Sequence, residues 1–182
     1  YNYDNLWTGI KVNYRIEEKK DLKNLEWNQY YLMLPGTPVV VNYTEIFNNT
    51  GHYHNSSWLT TTFFNPYEDM NNAVYSFEGE NGKWYENMRV SELSSNELLF
   101  KGLCRIGHRE KNTKCSIILN TEEIDSSRVE TNMNKIISTF TSWKTKIKNG
   151  DKFISPIFFF VFHEEDYKPE AMKNLINIRF VD

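Results

Sequence analysis

The sequence predicts a mainly β domain with one long helix: an antiparallel β-barrel or sandwich of about eight strands, with an amphipathic helix packed against it. Three observations predict it. Short segments of alternating apolar and polar residues recur every 8–15 residues or so through the first two thirds of the chain. Pro, Gly and Asn punctuate them. One later stretch, about 127–148, changes to helical spacing. A chain of 182 residues with 40% apolar and 25% charged side chains can bury one core without a metal or several disulfides, so residues 1–182 read as a single domain.

The first strand is 6–16, where Leu6, Ile10, Val12, Tyr14 and Ile16 share one face and Lys11, Asn13 and Arg15 the other. A second apolar run, Trp27–Leu34, stops at Pro35-Gly36. Val39–Phe47 follows, then a polar loop, 48–57, and the Thr- and aromatic-rich Trp58–Phe64. Ala73, Tyr75 and Phe77 alternate up to the hairpin residues Gly79-Glu80-Asn81-Gly82, and Trp84, Met88 and Val90 alternate beyond them. Leu98–Ile106 and Cys115–Leu119 form the clearest hairpin, which brings the strands to about residue 119. Ser127 and Glu130 have capping-box spacing. Val129, Met133, Ile136, Ile137, Phe140, Trp143 and Ile147 then recur at helical intervals, and Asn149-Gly150 stops the run, predicting a helix over 127–148. Phe153–Phe162 is apolar on both faces, as a central strand would be. A short helical turn at Pro169–Leu175 and a terminal strand at Ile176–Val181 complete the closing segment, 153–181.

A balance of 21 basic and 24 acidic residues, net −3, argues against nucleic acid as a partner. No apolar run approaches the length of a membrane span, so a soluble domain is expected, any secretory leader having been removed. Searches for a nucleophile elbow, a phosphate loop, a dinucleotide fingerprint or a His-Glu-x-x-His pair find none, so no catalytic residue and no cofactor are assigned and the chain is not expected to be an enzyme. Glu45, on an otherwise apolar strand face, is expected to satisfy a buried partner or a polar ligand group.

A hairpin centred between Arg109 and Glu110 would set Cys104 directly opposite Cys115, close enough for a disulfide and so implying an oxidising, secreted or periplasmic location. The alternative is two buried thiols in a reducing compartment. Asn42, Asn48 and Asn55 head Asn-x-Ser/Thr sequons. Their number is what chance supplies, and only their clustering within 42–57 points to an exposed, glycosylated rim. His52 and His54 could begin a metal site, but no third ligand is identifiable, so no metal is assigned. His163 leads an acidic run, and His108 falls in a hairpin turn.

The aromatic content, 12 Phe, 11 Tyr and 5 Trp, is the unusual feature. In a small barrel such side chains fill the interior or line one ligand cavity. The inward set by alternation is Ile10, Val12, Tyr14, Tyr43, Tyr75, Phe77, Met88 and Phe100.

The layout over 6–163, with Leu6-Trp7-Thr8-Gly9 and the segments Val90-Ser-Glu-Leu93 and Asn96-Glu-Leu-Leu99, resembles the lipocalin-like calycin barrels. The resemblance implies a secreted or periplasmic binder of a small hydrophobic molecule. The competing expectation is a secreted module that engages a partner protein through the surface of a solid β-sandwich.

Overall fold

A computed structural model describes residues 7–17, 19–33, 35–64, 72–79, 82–89, 92, 97–100, 103–119, 126–132, 136–155 and 157–164. For 56–64, 97–100, 117–119, 126–132 and 136–145 the description is of the backbone alone. The strands are β1 (Thr8–Arg15), β2 (Leu25–Met33), β3 (Val39–Asn48), β4 (His54–Phe64), β5 (Ala73–Glu78), β6 (Trp84–Arg89), β7 (Glu97–Phe100), β8 (Leu103–His108), β9 (Lys114–Leu119), β10 (Ser126–Asn132), β11 (Ile136–Ile147), β12 (Lys152–Ile154) and β13 (Phe158–His163). A 3-10 turn at Lys20–Leu22 leads into β2.

The larger sheet runs β1-β2-β3-β13-β9-β8-β5-β6, with β12 also paired to β3; the smaller runs β4-β11-β10-β7. The described pairings are all antiparallel. The larger sheet is open, with β1 and β6 as its edges, so the barrel alternative is not what forms.

Period-2 alternation gives the larger sheet two differently filled faces. On the first, Tyr75 lies opposite Ile106, Ile106 opposite Cys115, and Cys115 opposite Phe162. With Ala73, Phe77, Cys104, Phe158 and Phe160 these rows form a core whose largest members are fully enclosed. The same face continues to Leu25 and Ile46, on which Ile147 at the end of β11 packs. The smaller sheet therefore meets the larger on this side. The second face carries its own apolar belt of Val39, Val41, Leu103, Phe159 and Val161. Strand β13, between β3 and β9, feeds both clusters, as its two-sided apolar composition predicts.

Asn48 joins the sheets where β3 turns into β4. Its Nδ2 donates to the carbonyls of His52 (2.7 Å) and Ile147 (2.9 Å), and its Oδ1 accepts from the Thr50 amide (3.1 Å) and hydroxyl (2.8 Å). The nearby Asn149-Gly150 turn, with Gly150 at φ 86°, leads from β11 into β12 rather than ending a helix.

The predicted helix over 127–148 is the main correction. Ser126–Asn132 and Ile136–Ile147 are strands paired from Ser126↔Ser142 to Asn132↔Ile136, and β11 also pairs along β4. β11 is rich in β-branched and aromatic residues, Ile136, Ile137, Thr139, Phe140, Thr141, Trp143, Thr145 and Ile147, which favour a pleated surface. Its ladder with β4 shifts register after Thr139 and again after Ser142. The first shift puts its extra residue on β4 and the second puts one on β11, between Ser142 and Thr145; that second shift interrupts β11's two-residue period where Phe140, Trp143 and Ile147 fall three and four apart and imitate a helix.

Two smaller corrections follow. The run 98–106 divides between sheets, β7 in the smaller and β8 in the larger. Gly9, in the segment compared with the calycin barrels, sits where a Cβ would run into the Tyr31 carbonyl, so close strand approach explains that glycine. The predicted turn at 169–175 and strand at 176–181 lie outside the described residues.

Candidate functional site

The eight residues expected to line a ligand cavity do not face one space. Ile10 and Tyr14 stand exposed on the edge strand β1, at 65% and 46%, and Val12 between them is half-buried. Tyr75 and Phe77 are core residues, with Met88 packed against them. Tyr43 projects from the opposite face, beside Val41. Phe100 lies in the smaller sheet, and its side chain is outside the described residues. Alternation assigned inward positions correctly within β5, but an open sheet has no common inside.

Cys104 and Cys115 are free thiols. The β8–β9 register pairs Ile106 with Cys115 and Cys104 with Ile117, so the cysteines are diagonal neighbours two residues out of step. At that separation a disulfide would require backbone movement. Burial pushes both thiols far above their ordinary range, so they are inert core groups. The argument for an oxidising compartment loses its support with the bridge.

Two of the three sequons are also excluded as glycan sites in the folded chain. Asn42 is fully buried and donates to the Tyr30 carbonyl (2.9 Å), while buried Asn48 is the turn hub already described. In the second case the Asn-x-Thr spacing is turn chemistry, because Thr50 is the residue that bonds Asn48. Asn55 is exposed. Three of the four histidine rings are individually engaged: His54 Nε2 with Thr50 Oγ1 (2.7 Å), His163 Nε2 with Ser116 Oγ (2.7 Å), and His108 Nδ1 accepting the Glu110 amide (3.1 Å). Among the described residues no cluster of three metal-ligating side chains forms.

The polar chemistry gathers on the second face, away from the Leu25–Ile46–Ile147 contact, at two ends of the apolar belt. At one end Lys11, Tyr30 and Tyr43 form a cross-strand row over β1, β2 and β3. The two rings stack with centroids 4.6 Å apart and planes 8° apart, and the Lys11 ammonium lies 5.5 Å from the Tyr30 ring centre. One row further, Glu45 accepts the Tyr30 hydroxyl at 2.7 Å on Oε2 and pairs with Lys152 of β12 through Oε1. Burial alone would raise the Glu45 carboxyl. The hydrogen bonds from Lys152 and Tyr30 and the Lys152 and Lys11 charges outweigh it and hold the group below its ordinary range. Burial first, and the Glu45 charge second, raise the Tyr43 phenol. The Tyr43 hydroxyl has no hydrogen-bond partner among the described residues. The cluster presents an ionised acceptor, two phenols and two ammonium groups on a rigid ladder, which suits a ligand with many hydroxyls.

At the other end is a cleft of about 340 Å³ lined by Val74, Asn87, Arg105, Gly107, His108, Arg109 and Lys114. Arg105 Nη2 donates to Ser76 Oγ (3.1 Å) and to Glu86 Oε1 (3.3 Å).

Sequence reasoning singled out Glu45 and missed its partners. The turn at Pro35-Gly36 was the available signal for Tyr30, because a hairpin closed there sets Tyr30 opposite Tyr43. Lys152 arrives from β12, more than a hundred positions away, and no local pattern announces it.

No protein-family model matches the chain, and no curated protein matches it in sequence. Solved structures do match in fold. One is an α-galactosidase from Lactobacillus brevis (TM-score 0.62, 12% identity, 90% of this chain and 24% of that one). Another is a galactose mutarotase related enzyme from Lactobacillus acidophilus (TM-score 0.57, 9% identity, 85% and 68%). A third is the Slr1438 protein from Synechocystis (TM-score 0.57, 11% identity, 91% and 64%). The chain thus spans under two thirds of the Slr1438 protein and about a quarter of the α-galactosidase. At these identities the likeness is one of fold.

Proposed function

We propose that this chain is a sugar-binding β-sandwich module that takes its ligand at the Tyr30–Tyr43–Glu45–Lys152 end of the second face of the larger sheet. The observation that carries the reading is Glu45, an ionised acceptor flanked by the Tyr30 hydroxyl and the Lys152 ammonium on one β-ladder. A sugar offers paired donors and acceptors along one edge, which such a row can match. Charge-assisted hydrogen bonds contribute about 1.5–3 kcal/mol each where neutral ones contribute about 1. The fold is shared with proteins titled as a galactose mutarotase related enzyme and an α-galactosidase, which makes galactose the first sugar to try.

The expectation of an apolar ligand inside a barrel required a closed barrel, and this sheet is open. The reading is of binding without turnover. Titrating galactose into the full chain by calorimetry is expected to give saturable binding that Glu45→Gln and Tyr43→Phe weaken. Polarimetry of freshly dissolved α-galactose is expected to show an unchanged rate of anomer exchange. Tryptophan quenching by fatty acids, with no response to galactose or glucose, overturns the reading.

A further inference from the structure

We infer that β1 is a self-association edge: two copies of this chain pair their first strands antiparallel and join their larger sheets into one. The pairing is independent of the sugar site. Two observations carry it, the contrast between the two edges of the larger sheet and the register in which β1 meets itself.

An edge strand leaves half of its backbone N–H and C=O groups to solvent or to another strand. At one edge, β6 is protected. It is six residues long, and its ladder with β5 passes from Tyr75↔Met88 to Phe77↔Tyr85, so Glu86 and Asn87 together oppose Ser76. Asn87 sits at φ 51°, in the left-handed region, and its amide is already bonded to Ser76 Oγ (3.0 Å). Such a bulge twists an edge away from an incoming strand. At the other edge, β1 carries no such device. Its eight residues match β2 one to one, from Thr8↔Met33 to Arg15↔Glu26, with no proline and no bulge. Among the described residues no strand pairs with its other side. Every residue of β1 is exposed except half-buried Val12. Asn13 Nδ2 donates to Asn28 Oδ1 (2.8 Å), which holds the strand onto β2.

The exposed apolar side chains gather at this edge. Thr8, Ile10, Val12 and Tyr14 share one face, and Met33 stands opposite Thr8 on it. Ile10, Tyr14 and Met33 are three of the five large apolar side chains that stand exposed among the described residues. A bare backbone edge with apolar residues along it is a template for a further strand.

The sequence of β1 suits a second copy of itself. Two-fold antiparallel pairing sets residues on the same face opposite each other about a central one. Centred on Val12, it opposes Val12 to Val12, Ile10 to Tyr14 and Lys11 to Asn13, and lays Arg15 over the bare Gly9. A centre at Lys11 would oppose two ammonium groups, and one at Asn13 would oppose Lys11 to Arg15; like charges directly opposite destabilise a pair. Centres further out leave a ladder of five residues or fewer within Thr8–Arg15. The Val12 register alone joins a longer ladder to matched apolar rows with no like charges opposed. Its remaining like-charge neighbours are diagonal, about 7–8 Å apart, close to the screening length in physiological salt. An edge contact of this length is at the small end of specific interfaces, so the dimer is weak and depends on concentration.

The test is sedimentation equilibrium of the full chain at about 150 mM salt, from about 10 µM to about 1 mM. A reversible monomer–dimer exchange is expected. Val12→Lys opposes two ammonium groups at the axis and is expected to weaken the dimer by about tenfold, with a urea midpoint close to the parent's. Register is read by cysteine trapping, in which buried Cys104 and Cys115 take no part. Mild oxidation is expected to link Val12→Cys across the axis, where opposed Cβ atoms lie about 4.5–5.5 Å apart. Ile10→Cys is expected to stay unlinked, because its counterpart lies four residues out of step, about 13 Å away. A chain that stays monomeric throughout leaves this edge to a different partner and overturns the inference. Equal linking of both cysteine variants, or a dimer that Val12→Lys leaves at parent strength, overturns it as well.

Discussion

The two ends of the second face solve the same electrostatic problem with opposite signs. At one, the carboxylate is the covered partner: the Glu45 side chain is 15% exposed and its cation Lys152 53%. At the other, the cation is covered, with Arg105 at 7% and Glu86 at 60%. A covered charge must be hydrogen-bonded where it sits, and each is, Glu45 by Tyr30 and Arg105 by Ser76. The solvated partner matters less for holding either group. One sheet face therefore carries a covered anion at one end and a covered cation at the other, separated by the belt of Val39, Val41, Leu103, Phe159 and Val161.

The strongest way to break the contrast is to loosen one end only. Asn48→Ala removes four hydrogen bonds from a fully buried side chain, including the one to Ile147 just before β12 brings in Lys152. A loss of about 3 kcal/mol in urea denaturation is expected, with faster amide exchange at β12 and little change at Gly107. Next comes the pair of ligand responses. Glu45→Gln should weaken galactose binding by about tenfold, while Arg109→Ala/Lys114→Ala should leave it unchanged. Loss of galactose binding in both variants would make the two ends one site. A smaller effect separates the solvated partners: Glu86→Ala removes one partner of a covered guanidinium and should cost about 1 kcal/mol by urea denaturation. Lys152→Ala should move the urea midpoint less, since Glu45 keeps its bond from Tyr30.

The smallest effect is in acid. The Glu45 carboxyl lies below its ordinary value of 4.5 in the folded chain. Its contribution is therefore fully present above that value and disappears as pH falls through the folded one. The stability difference between the parent and Glu45→Gln should accordingly be larger at pH 7 than at pH 3. A difference independent of pH would mean that the Lys152 and Tyr30 contacts do not act on the charge.

Much of the larger sheet was legible in local pattern. Trp27–Leu34 and Val39–Phe47 around Pro35-Gly36 became β2 and β3, and the doubly apolar run at 153–162 divided into β12 at its start and central β13. The cysteine pair shows the limit. A hairpin centre displaced by one residue moves the partner by two, so Cys115 faces Ile106 and the same-face prediction survives while the disulfide does not. In β11 the ladder with β4 overrode an apolar spacing that read as helix, because register shifts are invisible until the neighbouring strand is known. Of the candidate site, Glu45 and Tyr43 were legible, Tyr43 as one wall of a cavity that the open sheet does not form, while Tyr30 and Lys152 were not.

By itself, the sequence determined that most of this chain would be antiparallel strands, which positions alternate, and where the tight turns fall, because those depend on the two-residue pleat and on the local freedom of Gly, Asn and Pro. The tertiary structure decided which sheet each strand joined, that the larger sheet stays open, and that Lys152 meets Glu45 and Arg105 meets Ser76 and Glu86. Those outcomes rest on pairings between distant segments. Their free energy comes from burial and ladder hydrogen bonds that no short window of sequence contains.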